Sequence, residues 1–334
     1  MTATKARTIA GHAVNPIGLG CMSLSWAYGV PPSPKDGAKL LHHALDIGYN
    51  HFDTARIYGE GKNEILIGNA LNGRRKEFFL ASKTGIFVEG DKRRVDCRPE
   101  MIRVAIEESL RLLKTDYIDL YYLHRRDFNT PIEDSVGELA RAIEAGKIGS
   151  IGLSEMSAQT LRKAAAVHPI AAMQTEYSPQ TRNPEIAVLK ACKDLGTTFV
   201  AFSPVGRGSL CGTLRDPSKL PNGDLRKSWP RFIGENWTTN LALIDAFGNI
   251  ARDAAVTQAQ LALGWVLAKG EHIVTIPGTA NIAHLEENIA QHNWIPDAAT
   301  LAGIDALINQ QTVAGPRYPA GQQRSIDTEE FDVV

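Results

Sequence analysis

Gly18-Leu19-Gly20-Cys21-Met22-Ser23 is the stretch on which the fold turns. It closes the first short apolar run of the chain, where an open dinucleotide-binding sheet would carry a Gly-x-Gly-x-x-Gly turn between its first strand and first helix. Ser23 stands where the third glycine would be. A closed (β/α)8 TIM barrel, which needs no such phosphate loop, is therefore the expected fold.

The rest of the chain repeats the same alternation of short apolar runs and longer amphipathic segments, the pattern of a parallel sheet wrapped by helices. The runs predict eight strands, at 17–20, 51–53, 78–83, 118–124, 150–154, 172–176, 198–203 and 273–277. Helical periodicity predicts helices at 35–47, 63–71, 99–113, 132–145, 158–166, 184–195 and 282–290, with a broken helix at 241–268. Gly48, Gly146 and Gly196 follow three of these, where a left-handed cap favours glycine.

At 334 residues the chain fits one such barrel spanning 1–334, since barrels run from about 200 to more than 400 residues. No repeat or linker marks a boundary. Two segments are longer than connectors, 85–97 and 204–240, and the second, with Trp229, Phe232 and Trp237, reads as a lid. The tail 311–334 is rich in Gly, Pro and Gln, and is expected to run over the barrel surface or to be partly disordered.

A formal net charge of -1, without a run of like charges, lacks the electrostatic footprint of a nucleic-acid or membrane-surface binder. The expected partner is a small molecule, and the expected assembly a monomer or weak homo-oligomer. Cys21, Cys97, Cys192 and Cys211 form no CxxC pair and no zinc spacing, so they read as reduced packing residues, and no metal is expected. The start, with Lys5, Arg7 and His12, lacks the apolar core of a secretory signal, and no stretch approaches the ~18 apolar residues of a membrane span. A cytoplasmic location is expected.

Chemistry gathers at the strand ends. Asp53 ends the second strand, Tyr58 lies five residues on, Lys83 ends the third strand and His124 the fourth. In a barrel these ends converge on one mouth, where enzymes of this architecture carry their sites. A lysine closing an apolar strand needs a carboxylate, which Asp53 can supply. The ammonium is expected to push the Tyr58 phenol below its ordinary pKa and make it a usable proton donor. His124 is expected to donate a hydrogen bond to a substrate oxygen.

With these residues in view, the sequence resembles the aldo-keto reductase family from about residue 17 to 288. The resemblance rests on Phe52-Asp53-Thr54-Ala55 with Tyr58-Gly59, Lys83-Thr84, Tyr122-Leu123-His124-Arg125, Gly152-Leu153-Ser154, Gln174-Thr175-Glu176-Tyr177-Ser178, Ser203-Pro204 and Ile276-Pro277-Gly278-Thr279. Within the family it looks most like the bacterial and plant branch whose lid reads Pro230-Arg231-Phe232 then Gly234-Glu235-Asn236.

The resemblance implies a catalytic tetrad of Asp53, Tyr58, Lys83 and His124 and an NADPH cofactor bound without a Rossmann fold. It also implies that Ser154 and Gln174 hold the carboxamide and that Phe202 stacks on the nicotinamide. Ser203, Pro204, Gly206, Arg207 and Gly208 would line the pyrophosphate, with Pro277, Gly278, Thr279, His284, Glu287 and Asn288 toward the adenosine end.

Two departures from the family stand out. Glu155 replaces an asparagine common beside the serine, a change of small expected consequence, and Ala280-Asn281-Ile282-Ala283-His284 offers only His284 where NADPH-preferring relatives present lysine or arginine. NADH acceptance is thus expected beside NADPH.

Trp26, Phe87, Trp229 and Phe232 are expected to line an apolar substrate pocket, and Arg125 and Arg126 read either as solvated or as attractors of an anion. The implied activity is reduction of an aldehyde or ketone, a keto-trichothecene among the candidates. The alternative is a cofactor-binding regulatory subunit of the potassium-channel β-subunit type.

Overall fold

Successive side chains on a strand point to opposite faces, so in a barrel every second residue enters the interior. The computed structural model describes residues 7–90, 92–291 and 294–331. Lys5 and the last three residues of the tail lie outside the described residues.

The strands are β1 Arg7–Ile9, β2 His12–Val14, β3 Leu19–Gly20, β4 His51–Asp53, β5 Phe79–Thr84, β6 Ile86–Glu89, β7 Lys92–Val95, β8 Leu120–Leu123, β9 Ile151–Ser154, β10 Ile170–Glu176, β11 Thr198–Phe202 and β12 Ile273–Thr275. Among the described residues, eight form one parallel sheet in the order β3-β4-β5-β8-β9-β10-β11-β12. Parallel bridges from Ile17 to Thr275 and from Gly20 to Gly278 join its two ends. The Gly18 N–H donates to the Thr275 carbonyl at 2.8 Å, and the Gly20 N–H to that of Pro277 at 3.2 Å.

This seam explains the second glycine of the opening stretch. A Cβ on Gly20 would sit 2.6 Å from the Ile276 carbonyl oxygen. The residue serves barrel closure rather than a nucleotide loop.

Phe79, Ala81, Leu120, Tyr122, Ala172, Val200, Val274 and Ile276 alternate inward and fill the barrel, and the β1-β2 hairpin plugs its floor with Ile9 and Val14. The outward-facing Phe52, Leu80, Tyr121, Leu123, Leu153 and Met173 pack under the helices. Burial of such side chains contributes about 1.5–3 kcal/mol each.

The helices are α1 Pro34–Asp46, α2 Lys62–Leu71, α3 Pro99–Leu113, α4 Ile132–Glu144, α5 Ala158–Ala165, α6 Val188–Leu195, α7 Gly234–Asp253, α8 Gln258–Ala268, α9 Ile282–Ala290, α10 Ala298–Leu307 and α11 Ala320–Gln323. The expected break in 241–268 falls after Asp253, where Ala255 takes φ 54° and Thr257 and Gln260 form a reciprocal cap on α8. Gly48, Gly146 and Gly196 all have positive φ. The segment 204–240 folds as short 3-10 turns followed by the start of α7, while α10 and α11 lie outside the predicted helices. Among the described residues, no helix is long and apolar enough to cross a membrane.

Candidate active site

The inward alternation brings Asp53 of β4, Lys83 of β5, Ser154 of β9 and Gln174 of β10 to the C-terminal end of the barrel. An ammonium has three donors, and Lys83, fully buried, aims all of them. One forms an ion pair with Asp53, one reaches the Thr54 carbonyl at 2.7 Å, and one faces the Tyr58 hydroxyl at 3.4 Å. The second Asp53 oxygen accepts from the Gln174 amide at 2.7 Å.

A brace sits behind them. The Thr54 hydroxyl donates to Asn63 at 2.6 Å, and the Asn63 amide reaches the Cys21 carbonyl and Ser25 hydroxyl, each at 2.8 Å. Tyr58 is delivered by a turn in which Gly59, Glu60 and Gly61 have φ of 57°, 55° and 90°. That run of left-handed backbone is the physical reason for glycine beside Tyr58. The Tyr58 and His124 rings meet edge to face, with centroids 5.8 Å apart.

The charge balance differs from the expectation at one point. Burial raises the Tyr58 phenol and outweighs the Lys83 ammonium, so its pKa lies above the ordinary tyrosine value rather than below it. Tyr58 therefore holds its proton throughout the neutral range. Burial opposes the charge on Lys83, but Asp53 and Tyr58 outweigh it and raise its pKa. Burial, then Arg125, Lys83 and Arg93, drives His124 well below the usual histidine range, leaving a neutral imidazole.

A cavity of about 750 Å³ opens over these groups. Asp53, Tyr58 and His124 line it, with Ser154, Gln174, Phe202, Ser203, Pro204, Arg207, Gly208, Gly278, Thr279, His284, Glu287 and Asn288, while Lys83 lies behind. Trp26 and Trp229 line it too.

Four expected lining residues do not. Ile86 pairs with Val95 and Phe87 with Arg94 across the β6-β7 hairpin, so Ile86 faces the cavity and Phe87 the opposite side. Phe232 stacks on Trp237, with centroids 5.7 Å apart, inside the lid. Pro277 contributes its carbonyl to the barrel seam. A Cβ on Gly206 would lie 2.4 Å from Gln180, so this residue is packed beneath the loop. Tyr28, Arg93, Arg226, Tyr318 and Gln322 line the cavity without having been expected there.

The Aldo/keto reductase family model matches residues 16–309. The chain belongs to the aldo/keto reductase family. It is similar to the NADP(+) aldo-keto reductase yakc of Schizosaccharomyces pombe, 42% identical over 322 residues and covering 94% of each chain. A probable aldo-keto reductase 1 of Glycine max is 40% identical over 313 residues, covering 93% of this chain and 90% of that one. Among solved structures, a glycerol dehydrogenase of Gluconobacter oxydans superposes with TM-score 0.84 at 26% identity, covering 100% of this chain and 99% of that one. An aldo-keto reductase of Klebsiella pneumoniae in complex with NADPH superposes with TM-score 0.72 at 26% identity, covering 96% and 99%.

In this aldo/keto reductase most residues of 311–331 are exposed or half-buried, and the tail is anchored by a few buried side chains. Arg317 and Tyr318 are buried, and the tail is tied to Glu155, whose consequence is larger than the sequence suggested. The Glu155 carboxylate accepts from Arg317 at 2.6 Å, from the Thr328 hydroxyl at 2.9 Å and from the Glu176 N–H at 2.9 Å. Arg207 pairs with Glu176 at 2.5 Å, donates to the Arg317 carbonyl, and lies against both the Trp229 and Tyr318 rings, which meet edge to face.

Breaking such a buried pair from one side strands a charge and costs about 3–5 kcal/mol. Arg317→Met is expected to lower stability by about 3 kcal/mol, and Glu155→Gln with Arg317→Met to recover part of it. Urea titration checks both. Equal midpoints for wild type and Arg317→Met would show that the tail is not held by this pair.

Proposed function

We propose that this chain is an NADPH-dependent oxidoreductase that reduces an aldehyde or ketone to the alcohol, with Tyr58 as the general acid. The observation that carries this reading is the buried Tyr58 hydroxyl at the cavity wall, 3.4 Å from the Lys83 ammonium and on a ring that meets His124 edge to face. A neutral His124 donates to the carbonyl oxygen and aligns it with Tyr58, and Tyr58 then passes its proton to that oxygen as the C=O bond opens. Lys83 and Asp53 act through Tyr58.

The residues present fit a nicotinamide dinucleotide. Ser154 and Gln174 offer polar groups for a carboxamide, although one Gln174 amide hydrogen is spent on Asp53, and Phe202 offers a flat ring. Ser203, Arg207 and Gly208, with φ of 49°, 58° and 89°, give the cavity wall a tight left-handed loop, in which the Gly208 N–H donates to the Val205 carbonyl at 3.1 Å. The N-terminus of α9 lies at the far end of the same cavity, beside Thr279. When bound, the nicotinamide supplies the hydride, two electrons with one hydrogen nucleus, for the new C–H bond, becoming NADP(+). The names of the fungal relative and of the Klebsiella complex support NADP(H) as the cofactor.

No observation favours the regulatory-subunit alternative, and nothing in the cavity singles out a keto-trichothecene. Steady-state oxidation of NADPH with a generic aldehyde tests the reading; quenching of cofactor fluorescence without turnover would overturn it.

His284 is the basic side chain that α9 gives to the cavity lining, with no lysine or arginine beside it on that helix, so NADPH is expected to bind only modestly better than NADH. Ala280→Lys should tighten NADPH about tenfold or somewhat more while changing NADH little, because only NADPH carries the 2'-phosphate. Ala280 is the better position than Asn281, whose side chain caps α9 by accepting from the Ala283 N–H at 2.8 Å. Fluorescence titration of both cofactors decides it: equal tightening, or none, would show that this segment does not face the 2'-phosphate.

A further inference from the structure

Four arginines line the cavity, and two of them are already neutralised. Arg207 is paired with Glu176 and Arg226 with Asp224. Arg93 and Arg125 have no ion pair among the described residues.

Their positions follow from the elements that carry them. Val88 pairs with Arg93 across the hairpin, two residues from the Ile86–Val95 pair, so Arg93 shares the cavity-facing side with Ile86. Its guanidinium lies 4.3 Å from the centroid of the Trp26 ring. Arg125 follows His124 at the end of β8, and one of its nitrogens bonds the His124 carbonyl at 2.7 Å and approaches the Ser154 hydroxyl at 3.5 Å.

Among the described residues, the acids near the tetrad are spent elsewhere. Asp53 is held by Lys83 and Gln174, and Glu155 by Arg317 and Thr328. The other acid of the lining, Glu287, lies on α9 with the residues of the cofactor groove. Arg93 accordingly carries a pKa lowered by burial and by the like charge of Arg125.

Two guanidiniums that repel one another across a partly apolar cavity are stabilised by an anion between them, and their planar donor forks suit carboxylate and phosphate oxygens. We propose that Arg93 and Arg125 form an anion subsite beside Tyr58 and His124, so that the carbonyl substrate carries a carboxylate or phosphate group. This rests on the reductase reading above. Trp26 supplies an apolar face beside the subsite for the carbon skeleton, and its ring also restrains the exposed Arg93 guanidinium at the cavity wall.

The test uses the full-length protein with saturating NADPH and two matched substrate pairs. One is 4-carboxybenzaldehyde against its neutral methyl ester; the other is glyceraldehyde 3-phosphate against glyceraldehyde. The quantity read is the ratio of kcat/KM for the anionic member to that for the neutral member. Arg93→Gln and Arg125→Gln are each expected to lower this ratio about tenfold to a hundredfold in at least one pair, mainly through KM. Arg93→Lys should restore part of the loss, since it keeps the charge but not the fork.

The pair that responds identifies carboxylate or phosphate as the recognised group. Ratios in both pairs that match the wild type, including the case where each variant slows both members in parallel, would overturn the subsite while leaving the reductase reading intact. Absence of turnover by the wild type on all four compounds would remove the reductase reading and the subsite with it.

Discussion

Tyr58→Phe is expected to leave the barrel folded and the cofactor bound while kcat for ketone reduction falls by about 10^2 to 10^4 fold, the usual worth of a positioned general acid. The lost hydroxyl acts on the oxygen only as the C=O bond opens, so kcat and kcat/KM should fall together. The structural cost should be small by comparison. Lys83 loses a partner at 3.4 Å but keeps Asp53 and the Thr54 carbonyl, and the phenylalanine ring still fills the site against His124. Single-turnover kinetics separate the chemical step from product release, and fluorescence titration follows cofactor binding. A variant that keeps more than half the wild-type single-turnover rate would remove Tyr58 from the role.

Much of this geometry was legible before any coordinates, for a reason of periodicity. Lys83 ends an apolar strand with Phe79 and Ala81 at two-residue spacing, so the same alternation that fills the barrel also points the ammonium inward. Asp53 and Gln174 follow by the same count.

What the count misses is what depends on distance through space. Arg317 meets Glu155 across 162 positions of sequence, from a tail without apolar period, and no local pattern signals that contact. Phe87 and Ile86 are adjacent and both apolar; which of them faces the cavity is decided by how the hairpin leaves β5, not by residue type. The direction of the Tyr58 shift failed for a related reason. The attraction of Lys83 can be read from sequence, whereas the opposing desolvation depends on how completely Trp26, Ile57 and Ile86 close around the phenol.

Lys83→Met separates the two jobs of the buried pair. Removing the ammonium strands the Asp53 carboxylate with only the Gln174 amide beside it, and the expected loss of stability is about 3–5 kcal/mol. Asp53→Asn should cost a similar amount by stranding Lys83. The double variant Asp53→Asn with Lys83→Met removes both charges, so much of the stability should return, whereas kcat should stay as low as in Lys83→Met because the Lys83 ammonium is still missing beside Tyr58.

The pH profile carries the sign. Lys83 is the group that opposes the burial of the Tyr58 phenolate, so its removal raises the Tyr58 pKa further. In reduction, which uses the protonated phenol, the alkaline limb moves to higher pH on a lower plateau. In alcohol oxidation, which needs Tyr58 to accept a proton, the rise in activity with pH moves upward as well. For the wild type, the raised Lys83 pKa means that its stabilising contribution is complete below the ordinary lysine value and is lost as pH rises through the folded one. Urea midpoints for the three variants, with pH profiles measured in both directions, test the coupling. Additive stability losses in the double variant, or alkaline limbs that coincide with the wild type, would show that Lys83 and Asp53 do not act as a pair on Tyr58.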